Sequence, residues 1–159
     1  AICSQNISDL RSKNMFDFKD KVAVITGGAR GIGKCICEQF RAAGAHVCVI
    51  DLIENDYFVG DLSDKATLER FAERVIADYG KVDYLINNAA PKMCGIEKGS
   101  YEDFEYAQRV GVTAPFYLSK LFAPYFADGA SIGCEFAFMC VTADCANKFF
   151  HNKTPHKNF

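Results

Sequence analysis

Apolar and polar positions change period along this chain, and the changes mark out its elements. Val22-Ala23-Val24-Ile25 is a run of small and β-branched residues suited to a strand buried on both faces. Behind it, Ile32, Ile36, Phe40 and Ala43 recur at intervals of three and four, the spacing of one helix face. A second run, His46-Val47-Cys48-Val49-Ile50, ends in Asp51, and Tyr57-Phe58-Val59-Gly60-Asp61 reads as a third strand. Ser63 or Asp64 can cap a helix that carries Leu68, Phe71, Ala72, Val75 and Ile76 on one face and ends at Gly80. Val82-Asp83-Tyr84-Leu85-Ile86 then gives a fourth strand. From Tyr101 to Tyr125, a stripe of Phe104, Ala107, Gly111, Ala114, Leu118, Leu121, Phe122 and Tyr125 predicts one long helix, kinked at Pro115. A fifth strand begins near Ala130-Ser131-Ile132. Strands alternating with helices predict an α/β fold on a parallel sheet. One connection runs against that plan. Leu52-Ile53-Glu54-Asn55-Asp56 is too short for the usual crossover helix, since a parallel crossover takes about a dozen residues or more. A third strand beside the second is not expected to be reached comfortably through it.

The stretch Thr26-Gly27-Gly28-Ala29-Arg30-Gly31-Ile32-Gly33 falls between the first strand and the first helix and reads as a phosphate-binding turn. Glycines there permit a tight turn and a close backbone approach to a pyrophosphate, while the free N–H groups of the first helical turn attract negative charge. Eighteen residues after Gly33 stands Asp51, near the distance at which a strand-terminal acid accepts hydrogen bonds from an adenosine ribose.

Three motifs in order, Thr26-Gly27-x-x-x-Gly31-x-Gly33, Gly60-Asp61-Leu62 and Asn87-Asn88-Ala89-Ala90, resemble those of the short-chain dehydrogenase/reductase family. The third departs from the family's usual Asn-Asn-Ala-Gly at Ala90. The resemblance covers roughly Phe16 to Gly129. It implies a Rossmann-like doubly wound parallel sheet, truncated here after about the fifth strand. It also implies hydride transfer between a nicotinamide cofactor and a small-molecule alcohol or carbonyl substrate. Position by position, it puts Gly27, Arg30, Gly31, Ile32 and Gly33 at the pyrophosphate and Asp51 at the adenosine ribose. Asp61 and Leu62 fall at the adenine, and Asn88 and Ala89 near the nicotinamide ribose. Asp51 favours NAD over NADP, because a carboxylate repels a 2′-phosphate, whereas Arg30 pulls the other way. In the family the long helix also commonly packs against a second subunit, so a homo-oligomer is a further expectation, although core packing explains so wide a stripe. Gly111 stands where the family usually has an Asn that fixes a helix distortion and a water leading to the catalytic Lys, and that function is expected to be absent.

The family's chemistry needs a Tyr four residues before a Lys, so that one helical turn sets an ammonium beside a phenol and lowers its pKa, with a Ser holding the substrate oxygen. The residues four places after Tyr57, Tyr79, Tyr84, Tyr101, Tyr106, Tyr117 and Tyr125 are Asp61, Asp83, Asn88, Glu105, Val110, Leu121 and Gly129. None is Lys, so no catalytic residue is assigned. Forcing Lys148 into the Lys position puts Asp144 where the Tyr belongs and Ser131 at the Ser; another register puts Cys134, Asn147 and His151 at the three positions. Neither supplies a phenol.

Composition adds bounds. The chain has 159 residues, of which 50% are hydrophobic and 24% charged, enough for one domain with a real core. Its net charge of −2 gives no electrostatic footprint for nucleic acid or an anionic membrane. No window of about 20 apolar residues and no signal peptide is visible, so a cytoplasmic protein is expected. Cys35, Cys37 and Cys48 fall in predicted helix and strand and read as small core residues with free thiols. In Cys140-x4-Cys145-x5-His151-x4-His156 the gap between the Cys and His pairs is too short for a zinc finger to fold back, and no metal is assigned.

Residues 1–14 read as an extension ahead of a natural start at Met15, residues 15–130 as the incomplete dinucleotide-binding domain, and residues 131–159 as a tail without family resemblance. The tail reads as a shifted frame, an alternative splice or an incomplete gene product. Two functional classes therefore compete: an oxidoreductase by descent, and a non-catalytic nucleotide-binding remnant. A fragment too incomplete to fold is a third reading.

Overall fold

The computed structural model describes residues 17–91 and 97–134. The expectations for the Met15 start and for the tail beyond Cys134, including Cys140 to His156, lie outside the described residues. Among the described residues five strands form one sheet: β1 (Val22–Thr26), β2 (His46–Asp51), β3 (Phe58–Val59), β4 (Val82–Asn87) and β5 (Phe126–Cys134). The helices are α1 (Gly31–Ala42), α2 (Lys65–Tyr79), α3 (Tyr101–Gln108) and α4 (Ala114–Phe122), with a π-helical turn at Arg109–Thr113 between the last two. All strand pairs are parallel, in the order β3-β2-β1-β4-β5. This is the parallel sheet that the alternating pattern predicts, in the Rossmann-like doubly wound arrangement that the resemblance implies.

Every residue of β1 is buried, because the strand is central and covered on both faces. On one face Ala23, Ile25, Val47 and Val49 pack with Cys37, Ile36 and Phe40 of α1. On the other, Val24, Cys48, Ile50 and Leu85 pack with Phe71 and Val75 of α2 and Leu118 and Phe122 of α4. The chain leaves β1 toward β2 and β3, then crosses back to β4 on the opposite side. Ligands bind open α/β sheets in the crevice at such a reversal, outside the carboxyl ends of the strands.

Four expectations change. The short connection after Asp51 does reach a third strand beside the second. β3 has only two residues and pairs with the last two of β2, Ile50 with Phe58 and Asp51 with Val59, so the chain makes a local loop rather than a return to the start of β2. Asn55 holds that loop: its Oδ1 accepts from the Tyr57 and Phe58 N–H groups at 2.9 Å, and its Nδ2 donates to the Ile53 and Phe58 carbonyls. Second, the long helix is interrupted. Pro115 has no N–H and its ring crowds the carbonyl of residue 111, and the chain answers by widening the turn before it, where the Ala114 N–H donates to the Arg109 carbonyl. The distortion is thus present with Gly at 111. Third, the face α1 buries is that of Gly33 and Cys37, flanked by Ile36 and Phe40, while Ile32 is 68% exposed. Fourth, Cys35 is exposed, whereas Cys37 and Cys48 are buried; all three are free thiols as expected. Asp64 rather than Ser63 caps α2, accepting from Ala66 and Thr67 N–H, and Gly80 ends it.

Among the described residues no helix is long and apolar enough to cross a membrane.

Candidate functional site

The site grows from the carboxyl ends of β1 and β4. Thr26, last in β1 and 2% exposed, turns its hydroxyl toward β4, where Oγ1 accepts from both the Asn88 and Ala89 N–H groups at 3.1 Å. Asn88 reaches back: its Nδ2 donates to the Thr26 and Gly27 carbonyls at 3.0 Å each. The two strand ends are stapled in both directions, and the glycine turn is held by its carbonyls. Gly27 adopts φ +68°, where an L side chain is strained. A Cβ at Gly33 would collide with the Gly27 carbonyl and the Asn88 amide, so only glycine lets the helix start this close to the turn.

Among the described residues the space above the turn is open: a Cβ built on Gly31 meets none of them within 4 Å. Arg30 occupies the N-cap of α1 in extended conformation without a side-chain cap, and the first turn carries no acidic residue. The leading N–H groups of α1 are therefore unclaimed by a cap and face the carboxyl edge of the sheet, with the positive end of the helix dipole behind them. That is a donor set for a diphosphate, and the exposed Arg30 adds a cation beside it.

Asp51 closes one side. Its Oδ2 accepts from Ala29 N–H in the turn at 3.0 Å and its Oδ1 from Ile53 N–H at 3.3 Å, which fixes the carboxylate at the mouth of the turn. Gly60 N–H donates to the Asp51 carbonyl at 2.9 Å and so brings Asp61 to the same edge. The Asp61 Oδ1 accepts from Ser63 N–H at 2.8 Å and from the Tyr106 hydroxyl of α3 at 3.3 Å. Leu62 is 7% exposed and its side chain joins the core, so only its backbone can face a ligand.

The sequence-predicted residues thus gather along one sheet edge: Gly27, Arg30, Gly31, Ile32 and Gly33 on the turn and helix start, Asn88 and Ala89 behind it, Asp51 and Asp61 beside it. Sequence reasoning did not give Asn88 its role as staple, and it passed over Tyr106. A phenol 45 residues from its carboxylate has no local pattern to announce it.

The sequence matches the short chain dehydrogenase family over residues 21–133. The chain belongs to that family. An uncharacterized oxidoreductase of Thermotoga maritima is 33% identical over 65% of this chain and 47% of its own length. An L-rhamnose 1-dehydrogenase (NADP(+)) of Thermoplasma acidophilum is 29% identical over 91% of this chain and 64% of its own. A blue fluorescent protein from a metagenomic library, solved in complex with NADPH, superposes with a TM-score of 0.68 at 26% identity, covering 74% of this chain and 56% of that one. This short-chain dehydrogenase chain spans about half the length of the first of these relatives.

Proposed function

We propose that these residues bind the dinucleotide cofactor of a short-chain dehydrogenase and prefer NAD. The observation that carries the reading is the uncapped, acid-free start of α1 stacked on the stapled glycine turn, with Asp51 fixed at its mouth. The α1 N–H groups and Arg30 would take the pyrophosphate, Asp51 the adenosine ribose hydroxyls, Asp61 and the Leu62 backbone the adenine, and the Asn88–Ala89 segment the nicotinamide ribose. When bound, the nicotinamide supplies the hydride chemistry. The NADP(+) and NADPH in the names of two relatives favour the phosphorylated cofactor, and Arg30 is the residue here that would accept it. Against that, the Asp51 carboxylate is held by two backbone N–H groups and cannot swing away from a 2′-phosphate, and this supports NAD.

Hydride transfer with an alcohol or carbonyl substrate is the proposal for the whole protein. The 159 residues contain no Tyr-x-x-x-Lys, so the second reading, a nucleotide-binding chain without the proton-transfer pair, has its own support. Both readings require binding. Titrating NAD and NADP into the purified chain and following thermal unfolding tests it: ligand at 100 times its Kd stabilises a folded site by about 2.7 kcal/mol. A saturable shift with NAD, weaker with NADP and evened out in Asp51→Asn, is expected. Equal and negligible shifts with both cofactors would overturn the proposal.

A further inference from the structure

One buried acceptor is left over at the carboxyl edge of the sheet. Asn87 ends β4, is 6% exposed, and its Oδ1 finds no donor among the described residues. Keeping such an atom dry and unpaired costs free energy, so the folded chain carries a standing demand for one donor at this point. The other end of the same amide is in use. Its Nδ2 donates to Sγ of Cys134, the register partner of Asn87 at the end of β5, at 3.6 Å. Turning the amide over does not remove the deficit, because a thiol with its single S–H can serve only one end at a time. Cys134 is a free thiol and exposed, so the group beside the unmet acceptor is also one that solvent-borne reagents reach.

We propose that Cys134 is a site of reversible oxidation by hydroperoxides, and that Asn87 holds its sulfenic acid with Oδ1 accepting from the S–O–H group. The Cys134 thiolate attacks one oxygen of hydrogen peroxide; the S–O bond forms, the O–O bond breaks and hydroxide leaves, so the sulfur gives up an electron pair and the peroxide takes it. The new oxygen carries both an acceptor and a donor and completes the amide. A mixed disulfide or a nitrosothiol has no O–H and does not. Acceptance by Oδ1 also favours the neutral acid over the sulfenate anion, the form that attacks a second peroxide, so oxidation stops at its reversible step. This inference is independent of the nucleotide-binding reading above.

The test treats the full chain briefly with hydrogen peroxide, stops the reaction with catalase, and adds dimedone, a cyclic 1,3-diketone that traps sulfenic acids, after increasing delays. Peptide mass mapping locates each adduct, and Cys35, also exposed, is the internal reference. Sulfenic acid at Cys134 is expected to persist about five- to tenfold longer than at Cys35, the scale of one net hydrogen bond. Asn87→Ala should bring it down to the Cys35 value while iodoacetamide still labels the reduced thiol. A second measurement needs no change at Asn87. Peroxide should raise the Tm of wild type by about 2–4 °C, as the buried acceptor gains its donor, and should leave that of Cys134→Ala unmoved. A thiol reductant should reverse the rise. Sulfenic acid lost from Cys134 as fast as from Cys35, its passage to a sulfinic acid or a disulfide within the same delay, or a Tm that responds alike in wild type and Cys134→Ala overturns the proposal.

Discussion

Replacing Asn88 by Ala removes two hydrogen bonds that tie β4 to the glycine turn, from Nδ2 to the Thr26 and Gly27 carbonyls, each 3.0 Å long. Net contributions of about 0.5–1.5 kcal/mol per bond give about 1–3 kcal/mol. The upper part of the range needs carbonyls left dry and the lower part carbonyls fully rehydrated; Asn88 is half-buried, so the middle, about 2 kcal/mol, is expected. For a chain of this size that corresponds to a fall in Tm of about 4–8 °C. The bonds also have a direction, which gives a sharper test. Asn88→Asp keeps the shape but turns a negatively charged acceptor toward two carbonyl oxygens, so it must be worse than Asn88→Ala. Urea unfolding followed by far-UV circular dichroism, with the slope m checked for constancy, measures both. An Ala variant within about 0.5 kcal/mol of wild type, the scatter of ordinary surface substitutions, or an Asp variant no worse than Ala, would refute the staple.

At the opposite edge of the sheet, burial pushes the Asp83 pKa up, but the Val22 N–H and the Lys21 and Lys81 ammonium groups more than reverse it and leave it lowered. A lowered folded pKa means stability that is present above the unfolded value of about 3.9 and lost as pH falls through the folded one. Asp83→Asn should therefore cost more at pH 7 than at pH 3, read as a narrowing gap in urea midpoints; a gap that widens in acid would reverse the sign. Burial pushes the Cys37 thiol up to about 11 and Cys48 to about 12, while Cys35 and Cys134 are exposed. Brief iodoacetamide treatment of the native chain at pH 8 should label Cys35 and Cys134 and spare the buried pair until urea is added, as peptide mass mapping would show. Comparable native labelling of Cys48 would contradict the packing. Gly111→Ala should stabilise by about 0.5–1 kcal/mol, since among the described residues the new Cβ meets only Pro91 Cδ at 4.0 Å. A loss in the thermal melt would mean that the π turn needs glycine.

The elements that were legible in the sequence are those whose cause is local. β1, α2 and β4 announce themselves by period and composition, and Gly80 and the glycine turn by chemistry that acts within a few residues. The wrong expectation for Ile32 has a local cause too, misread: spacing of three and four fits two neighbouring stripes of α1, and the contact that chooses between them is Gly33 against the Gly27 carbonyl and the Asn88 amide, one partner of which is 55 residues away. The same limit hid the pairing of Asp61 with Tyr106 and the reciprocal bonds of Thr26 and Asn88. Motifs name the residues that converge on a site; they do not name the ones that hold those residues still.

The π turn and the short β2–β3 connection show a different limit, because there the local signal was read and its consequence misjudged. Pro115 was expected to bend a helix at its own position. A missing N–H is felt one turn earlier, at the carbonyl it fails to bond, so the ladder opens at Arg109–Thr113. A five-residue linker is not expected to reach a parallel neighbour comfortably, because a crossover that returns to the start of its neighbour takes about a dozen residues or more. It need only return to where pairing begins. Because β3 meets β2 at Ile50 and Asp51, the loop that joins them turns at the carboxyl edge itself. The short connection thus ends with Gly60 bonded to the last residue of β2, and the backbone of Asp61 follows directly at that carboxyl edge.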